Sequence, residues 1–357
     1  MVCCASVRAD DHTLKTRHVV LVTVDGLRPR ELFGGLDPML IHAPDRAGIE
    51  HLVALRQRYW RDTPERRREA LLPFFWKTLA ANGVVIGNND LESHARLTNR
   101  YHFSYPGYAE LLCGQAQEAI NSNDPVPSPH ETILEYIRRK NNLPRTAAAA
   151  FCSWRNFIGI TAHTPNAIVC NAGYDAIEPG LMTPGMKAAN ESQFLMMTPW
   201  DTVRHDWVTY TLAEQYLKHH TPEFLYIALG ETDDWAHARR YDRVIEAANL
   251  FDQCLERLWN TLQTLDQYRG NTTLIVTTDH GRGLTEEDWV SHGAKIPGSD
   301  RIWIAIIGPD TPAGGEVHGG DTYTMNQIAA TILKFYGLDR ADFNPDSGKP
   351  IDLAFGR

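Results

Sequence analysis

The chain has 357 residues, 43% of them hydrophobic and 22% charged, the balance of a globular protein with a full core. Its 44 acidic residues outnumber 35 basic ones for a formal charge of −9, which argues against a broad surface for coating nucleic-acid phosphates. The longest apolar run, near HVVLVTV, falls far short of the ~20 residues that a membrane span needs.

Residues 1–16 read as a flexible terminus. MVCCASVRADD resembles the tail of a secretory signal peptide, with Val7-Arg8-Ala9 where a small-x-small cleavage site would stand, although an apolar core segment is missing. That reading implies a periplasmic or secreted protein, with the cytoplasm as the alternative. Residues 17–357 read as one domain. HVVLVTV (18–24) is its first strand and ends in Asp25-Gly26. Thr63-Pro64-Glu65 carries an N-cap, a first-turn proline and an acid at the positive helix end. The arginines around it (Arg56, Arg58, Arg61, Arg66, Arg67 and Arg68) read as a solvated helix face. The stretch 152–206, rich in Pro, Gly, Asn and Met, reads as a cap-like insertion. FLYIALG (224–230) is a second strand. Val244, Ala248, Phe251, Leu255, Leu258, Leu262 and Leu265 then line one helix face. TLIVTTD (273–279) and RIWIAIIG (301–308) are further strands, and a last helix runs from Met325 to Tyr336, with Gly337 placed to end it. Short apolar strands alternating with crossover helices predict a mostly parallel sheet covered on both faces, an α/β protein built as a three-layer α/β/α sandwich.

Six cysteines are too few for a disulfide framework. Cys113 and Cys254 fit core positions, while Cys152 and Cys170 could pair in an oxidising compartment. Fifteen histidines supply a pool for metal ligation.

In open α/β sheets, ligands bind beyond the carboxyl ends of the strands. The first strand ends in Asp25, the second runs into ETDDWAH with Asp233, Asp234 and His237, and the third ends in Asp279-His280-Gly281. Asp233 and His237, four apart, share a helix face. Carboxylates and imidazoles without thiolate suit zinc or manganese, and so many anionic ligands favour two ions over one. A nucleophile is offered by Ser104 in NRYHFSYPGYAELLCG, at a loop-to-helix junction where helix amides and a metal could steady its alkoxide. The plainer alternative is an ordinary serine N-cap.

VTVDG, Ser104 in FSYPGY, the D-x-x-x-H of Asp233 and His237, and TDHG at Asp279 and His280 come in the order seen in the alkaline phosphatase superfamily. They resemble most the branch of nucleotide pyrophosphatase/phosphodiesterases, phosphopentomutase and cofactor-independent phosphoglycerate mutase. The resemblance spans about residues 18–337. It implies an alkaline phosphatase-like fold and two divalent ions, most often zinc, with manganese as the alternative. Asp25, Ser104, Asp279 and His280 would hold one ion, and Asp233, His237 and a third histidine the other. It implies further that Ser104 attacks phosphorus in line, giving a phosphoserine that water then hydrolyses. The substrate would be a small-molecule phosphate monoester or diester. The alternatives are a phosphomutase and an inactive metal-binding module.

Two departures from the family narrow this expectation. Ser104-x-Pro106-x is followed by Tyr108 rather than the arginine of formylglycine sulfatases, and no arginine lies between Ser104 and Arg138 to grip phosphate. Asn121, or Asn123, is the candidate substrate-oxygen donor instead. For the third histidine, His292 is favoured over His318, because His292 follows a ligand pair closely and His318 sits in the glycine-rich AGGEVHGGD.

Overall fold

The computed structural model describes residues 14–356, so the leader-like segment, with Cys3, Cys4 and Val7-Arg8-Ala9, lies outside the described residues. Eleven strands follow in chain order: β1 (His18–Val24), β2 (Val84–Ile86), β3 (Ala95–Arg96), β4 (Ala148–Cys152), β5 (Val169–Ala172), β6 (Phe224–Leu229), β7 (Thr272–Thr277), β8 (Arg301–Ile302), β9 (Ile304–Ile307), β10 (Gly315–Glu316) and β11 (Tyr323–Thr324). Eight of them form one sheet in the order β10-β2-β9-β7-β1-β6-β4-β5, and β11-β3-β8 form a small second sheet.

The central strand β1 is parallel to both neighbours, with Val24 opposite Leu229 of β6 and Thr23 opposite Thr277 of β7. Its β-branched run explains why. With side chains alternating across the sheet, Val19 and Leu21 face one apolar cluster, while Val20, Val22 and Val24 face the other. The first cluster is closed by helices Ser104–Cys113, Ile133–Lys140 and Gln327–Phe335. The second is closed by Asp206–His220 and Tyr241–Thr264, together with the short N-terminal helices. The expected stripe from Val244 to Leu262 is buried in that interface. This is the three-layer α/β/α sandwich, and each fully buried Leu or Ile of its two interfaces contributes about 1.5–3 kcal/mol.

Several sequence expectations are corrected. The run 301–308 is not one strand. Trp303 is fully buried, donates its indole N–H to Leu27 O at 2.9 Å and accepts from Thr277 Oγ1 at 2.6 Å, so the chain steps there from one sheet to the other. Arg301–Ile302 pair with β3, and Ile304–Ile307 run antiparallel to β7, which makes the large sheet mixed. The stretch 152–206 is not all outside the sheet, because Val169–Ala172 form its edge strand beside β4. Cys152 and Cys170 are free thiols. On the paired strands Cys170 stands opposite Ala150 and Cys152 opposite Ala172, two residues out of step, and burial pushes the Cys170 thiol up to about 11. The Thr63 cap is present, accepting from Arg66 N. The arginines around it are less uniform than a solvated face: Arg67 is buried on Gly34 O and Arg61 O, and Arg68 pairs with Glu316.

Candidate active site

Because β1, β6 and β7 run parallel and in register, the residues that follow them emerge together. Asp25 and Asp279 are buried side by side. Asp25 Oδ2 accepts from the Tyr108 hydroxyl at 2.9 Å, and Asp279 Oδ1 accepts from Gly26 N at 3.0 Å. Their other oxygens, Asp25 Oδ1 and Asp279 Oδ2, are buried without any hydrogen-bond partner. His280 Nε2 lies 3.3 Å from the first and 3.5 Å from the second. His280 Nδ1 is 2.9 Å from Gly281 O, an acceptor, so Nδ1 donates there and Nε2 is the nitrogen turned toward the carboxylates. An orphaned buried carboxylate oxygen costs several kcal/mol, and two of them facing one imidazole nitrogen suit a bound cation. Burial, then the charge of Asp233 for Asp25 and of Asp25 for Asp279, pushes both carboxyls well above the ordinary range. A divalent ion reverses that balance.

Ser104 begins the helix Ser104–Cys113, but it is not the cap. Phe103 holds the N-cap position, and no side chain caps the helix. The Ser104 hydroxyl instead lies 3.4 Å from His280 Nε2, and the side chain is nearly buried. The helix reaches this place because residue 107 is glycine: a Cβ there would lie 2.4 Å from Asp279 O. The preceding loop is tied down by buried Glu110, which accepts from the backbone N–H groups of Thr98 and Asn99. Its last turn places His102 at φ 55, a left-handed conformation of the kind that collects at functional sites. The expected help from helix amides narrows to Ser104's own N–H, since Tyr105 N donates to Asn123 Oδ1, Pro106 has no N–H and Gly107 N donates to Phe103 O.

The helix Glu231–His237 starts directly after β6, with Asp206 accepting from Gly230 N at 2.7 Å and Glu231 N at 3.1 Å. The four-residue spacing brings His237 Nε2 to 3.1 Å from Asp233 Oδ2. His292 Nε2 lies 2.9 Å from His237 Nε2 and 3.8 Å from Asp233 Oδ1, and the His280 and His292 rings sit 4.1 Å apart. Burial opposes ionisation of Asp233, but Arg282 and then His237 more than offset it, and the carboxyl is held well below the ordinary range. Burial and the neighbouring His280 push His292 down to about 2, so it is the neutral imidazole that a metal needs.

All six ligand candidates, Asp25, Asp233, His237, Asp279, His280 and His292, thus meet with Ser104 at one sheet edge. Two groups of three offer ligand atoms within 4.8 Å of one another: Asp25, Asp279 and His280, and Asp233, His280 and His292. His237 stands outside both groups as well but lies against Asp233 and His292, whereas His318 is exposed and outside both groups. A cavity of about 240 Å³ opens over Ser104, and Asn123 lines it whereas Asn121 does not, which corrects the choice between the two. Both are exposed loop residues, but Asn123 Oδ1 accepts from Tyr105 N and its backbone O from Asn156 Nδ2, which holds it beside the start of the Ser104 helix. Sequence reasoning also passed over Arg282, which is bonded to Asp233, and Tyr108, which is bonded to Asp25. Their only signal was proximity, Arg282 two residues beyond His280 and Tyr108 one turn beyond Ser104. Asp234 lines the same cavity, and burial together with neighbouring carboxylates, Asp233 first, pushes it up to about 9.

Residues 201–340 match the family model described as the Metalloenzyme superfamily. Over 140 residues the chain is 28% identical to a probable 2,3-bisphosphoglycerate-independent phosphoglycerate mutase of Leptospira interrogans, a match covering 35% of this chain and 24% of the relative. The chain therefore spans about a quarter of that curated relative. Among solved structures, the wild-type alkaline phosphatase PafA superposes with a TM-score of 0.60 at 11% identity, covering 96% of this chain and 99% of that one. The phosphonate monoester hydrolase of Agrobacterium radiobacter gives 0.54 at 13% identity, covering 90% and 74%. The lipoteichoic acid synthase LtaP of Listeria monocytogenes gives 0.58 at 11% identity, covering 98% and 79%. At these identities the structural likenesses establish the fold. Among the described residues, no helix is long and apolar enough to cross a membrane.

Proposed function

We infer that this chain is a member of the alkaline phosphatase superfamily and hydrolyses a small phosphate ester at a two-cation centre with Ser104 as covalent nucleophile. One observation carries the reading. The Ser104 hydroxyl starts a helix without capping it and lies 3.4 Å from His280 Nε2, beside the unpartnered oxygens of Asp25 and Asp279.

The donor set fits divalent zinc, with manganese as the alternative, because it is made of carboxylates and imidazoles without thiolate. Asp25, Ser104, Asp279 and His280 would hold one ion, and Asp233, His237 and His292 the other. Bound there, two ions supply the positive charge that offsets the carboxylates and the oxygens of the transferring phosphoryl group. This chain's own residues do the rest. Tyr108 and Gly26 N each occupy one oxygen of Asp25 and Asp279, which leaves the second oxygen of each aimed at the site. Gly281 O anchors His280 through Nδ1 and turns Nε2 to the site. Ser104 Oγ forms the bond to phosphorus as the ester oxygen departs, the proton that Ser104 gives up passing through solvent to that oxygen so that it leaves as the alcohol; water then cleaves the phosphoserine, giving inorganic phosphate from a monoester and restoring the hydroxyl. Asn123, lining the cavity beside Ser104, is the side chain placed to donate to a phosphoryl oxygen.

Zinc- or manganese-loaded protein assayed against aryl phosphate monoesters, diesters, phosphonates and sulfates tests this reading. Release of inorganic phosphate from a phosphate ester is the expected result. Transfer of the group back to a substrate hydroxyl would identify a mutase, and stoichiometric metal uptake without turnover of any ester would identify an inactive binding module.

A further inference from the structure

A second cavity, of about 300 Å³, shares no lining residue with the one over Ser104. Its walls come from residues 28–38, 64–67, 88–90 and 282–301, and five arginines stand in them: Arg28, Arg30, Arg67, Arg282 and Arg301. Three are matched by acids. Arg28 pairs with Glu31 and Asp37, Arg30 pairs with Asp37 at 3.1 Å, and Arg282 pairs with Asp233. The other two have no carboxylate partner among the described residues. Arg67 is the member of the arginine run around Thr63 that turns inward, and it is only 7% exposed. Its guanidinium lies 4.9 Å from the Trp60 ring centre and donates from Nε to Gly34 O at 3.1 Å and from Nη1 to Arg61 O at 3.2 Å. Neither carbonyl nor ring carries a charge, and Nη2 has no hydrogen bond among the described residues. Arg301 is half-buried, and among the described residues it bonds only through its backbone, to Gly298 O at 3.0 Å and in its pairing with β3.

A buried guanidinium without a counter-charge is costly, and its planar fork matches the oxygens of a tetrahedral oxyanion. Two such cations in one cavity therefore call for an anion that the chain does not supply. Of the acids in the lining, Asp37 is held by Arg28 and Arg30, and Asp90 is exposed, where solvent screens its charge. We propose that this cavity binds a dianionic phosphate or sulfate group, free or carried on a small molecule, with Arg67 and Arg301 as its cationic donors. The site is separate from the nucleophile and does not depend on the ester chemistry there.

Equilibrium dialysis of the full chain against labelled inorganic phosphate, at fixed ionic strength and with and without zinc, tests this. Metal-free protein should still bind one phosphate per chain, which separates this site from any anion held by the catalytic metals. Arg301→Gln should weaken that binding at least about tenfold and leave the zinc-dependent binding of phosphate as it is in wild type. A measurement on the wild-type protein stands even if the variant does not fold. Phosphate should protect Arg301 from modification by phenylglyoxal, as mapped on peptides, and should not protect Arg100, which is 71% exposed. Competition identifies the source of the group: displacement of phosphate by sulfate alone marks a free oxyanion, and displacement by phenyl phosphate as well marks an ester whose organic part lies against Phe33, Leu36 and Leu284. No binding by metal-free protein, undiminished binding in folded Arg301→Gln, or no protection of Arg301 would each overturn the proposal and leave these arginines as braces between the loops.

Discussion

Arg282 Nη1 is bonded to Asp233 Oδ1, and the same buried guanidinium donates from Nε to Trp289 O at 3.1 Å and from Nη2 to Val290 O at 2.5 Å. One carboxylate of the cluster therefore already carries a fixed cation, while Asp25 Oδ1 and Asp279 Oδ2 carry nothing. The two cation positions should be unequal, since a charge held a few ångströms away opposes a second cation by a few kcal/mol at an effective dielectric near ~20. Calorimetric titration of zinc into metal-free protein should resolve a tight class, at Asp25, Asp279 and His280, and a class at least about tenfold weaker, at Asp233, His237 and His292. Arg282→Gln should bring the two together. Equal affinities in the wild type would sink this ordering.

The third ligand of the weaker position gives a second prediction. His292 lies 2.9 Å from His237, whereas His318 is exposed and outside both ligand groups. His292→Ala should lose one of two bound ions by elemental analysis, and His318→Ala should keep both. The opposite pattern would reverse the assignment.

Ser104→Ala should lower kcat on any accepted ester by on the order of 10³-fold or more. Fold and metal content should change little, because Asp25, Asp279 and His280 remain and Ser104 caps nothing. Circular dichroism and metal analysis of the variant separate this outcome from misfolding.

Asp252 offers a test of the scaffold away from the site. It accepts from Phe74 N at 2.9 Å and Phe75 N at 2.8 Å, and burial pushes its carboxyl up from 3.8 to about 7. The sign follows from proton binding. Between those values the folded state keeps a proton that the unfolded chain releases, so the contribution is present below 3.8 and is lost as pH rises through about 7. The slope is at most about 1.4 kcal/mol per pH unit. In urea unfolding, the stability advantage of wild type over Asp252→Asn should therefore grow as pH falls from about 7.5 toward about 5. A constant difference would show that Asp252 does not titrate in this window.

The core of this fold was legible because its strands are β-branched and its strand-end residues are chemical. β1 and the ends at Asp25, Asp233 and Asp279 stand where the periodicity places them. β4 was passed over because its alanines are weak strand formers, held here by parallel pairing on both sides. The run 301–308 looked continuous because apolar pattern does not reveal a sheet change, which depends on the long-range bonds of Trp303. The same limit hid Arg282. Its role is set by Asp233, 49 residues away, and its place two residues beyond His280 does not show which carboxylate it meets. Asn123 and Asn121 differ only in what the folded loop lets them reach.

The central claim is that Ser104 is phosphorylated during turnover. Rapid acid quench of the zinc-loaded protein with a phosphorus-labelled aryl phosphate, followed by peptide mapping, tests it most directly. Label on the peptide containing Ser104, formed and discharged at rates that match turnover and absent from Ser104→Ala, is the predicted result. Steady phosphate release with no label on that peptide, or Ser104→Ala turning over at the wild-type rate, would contradict it.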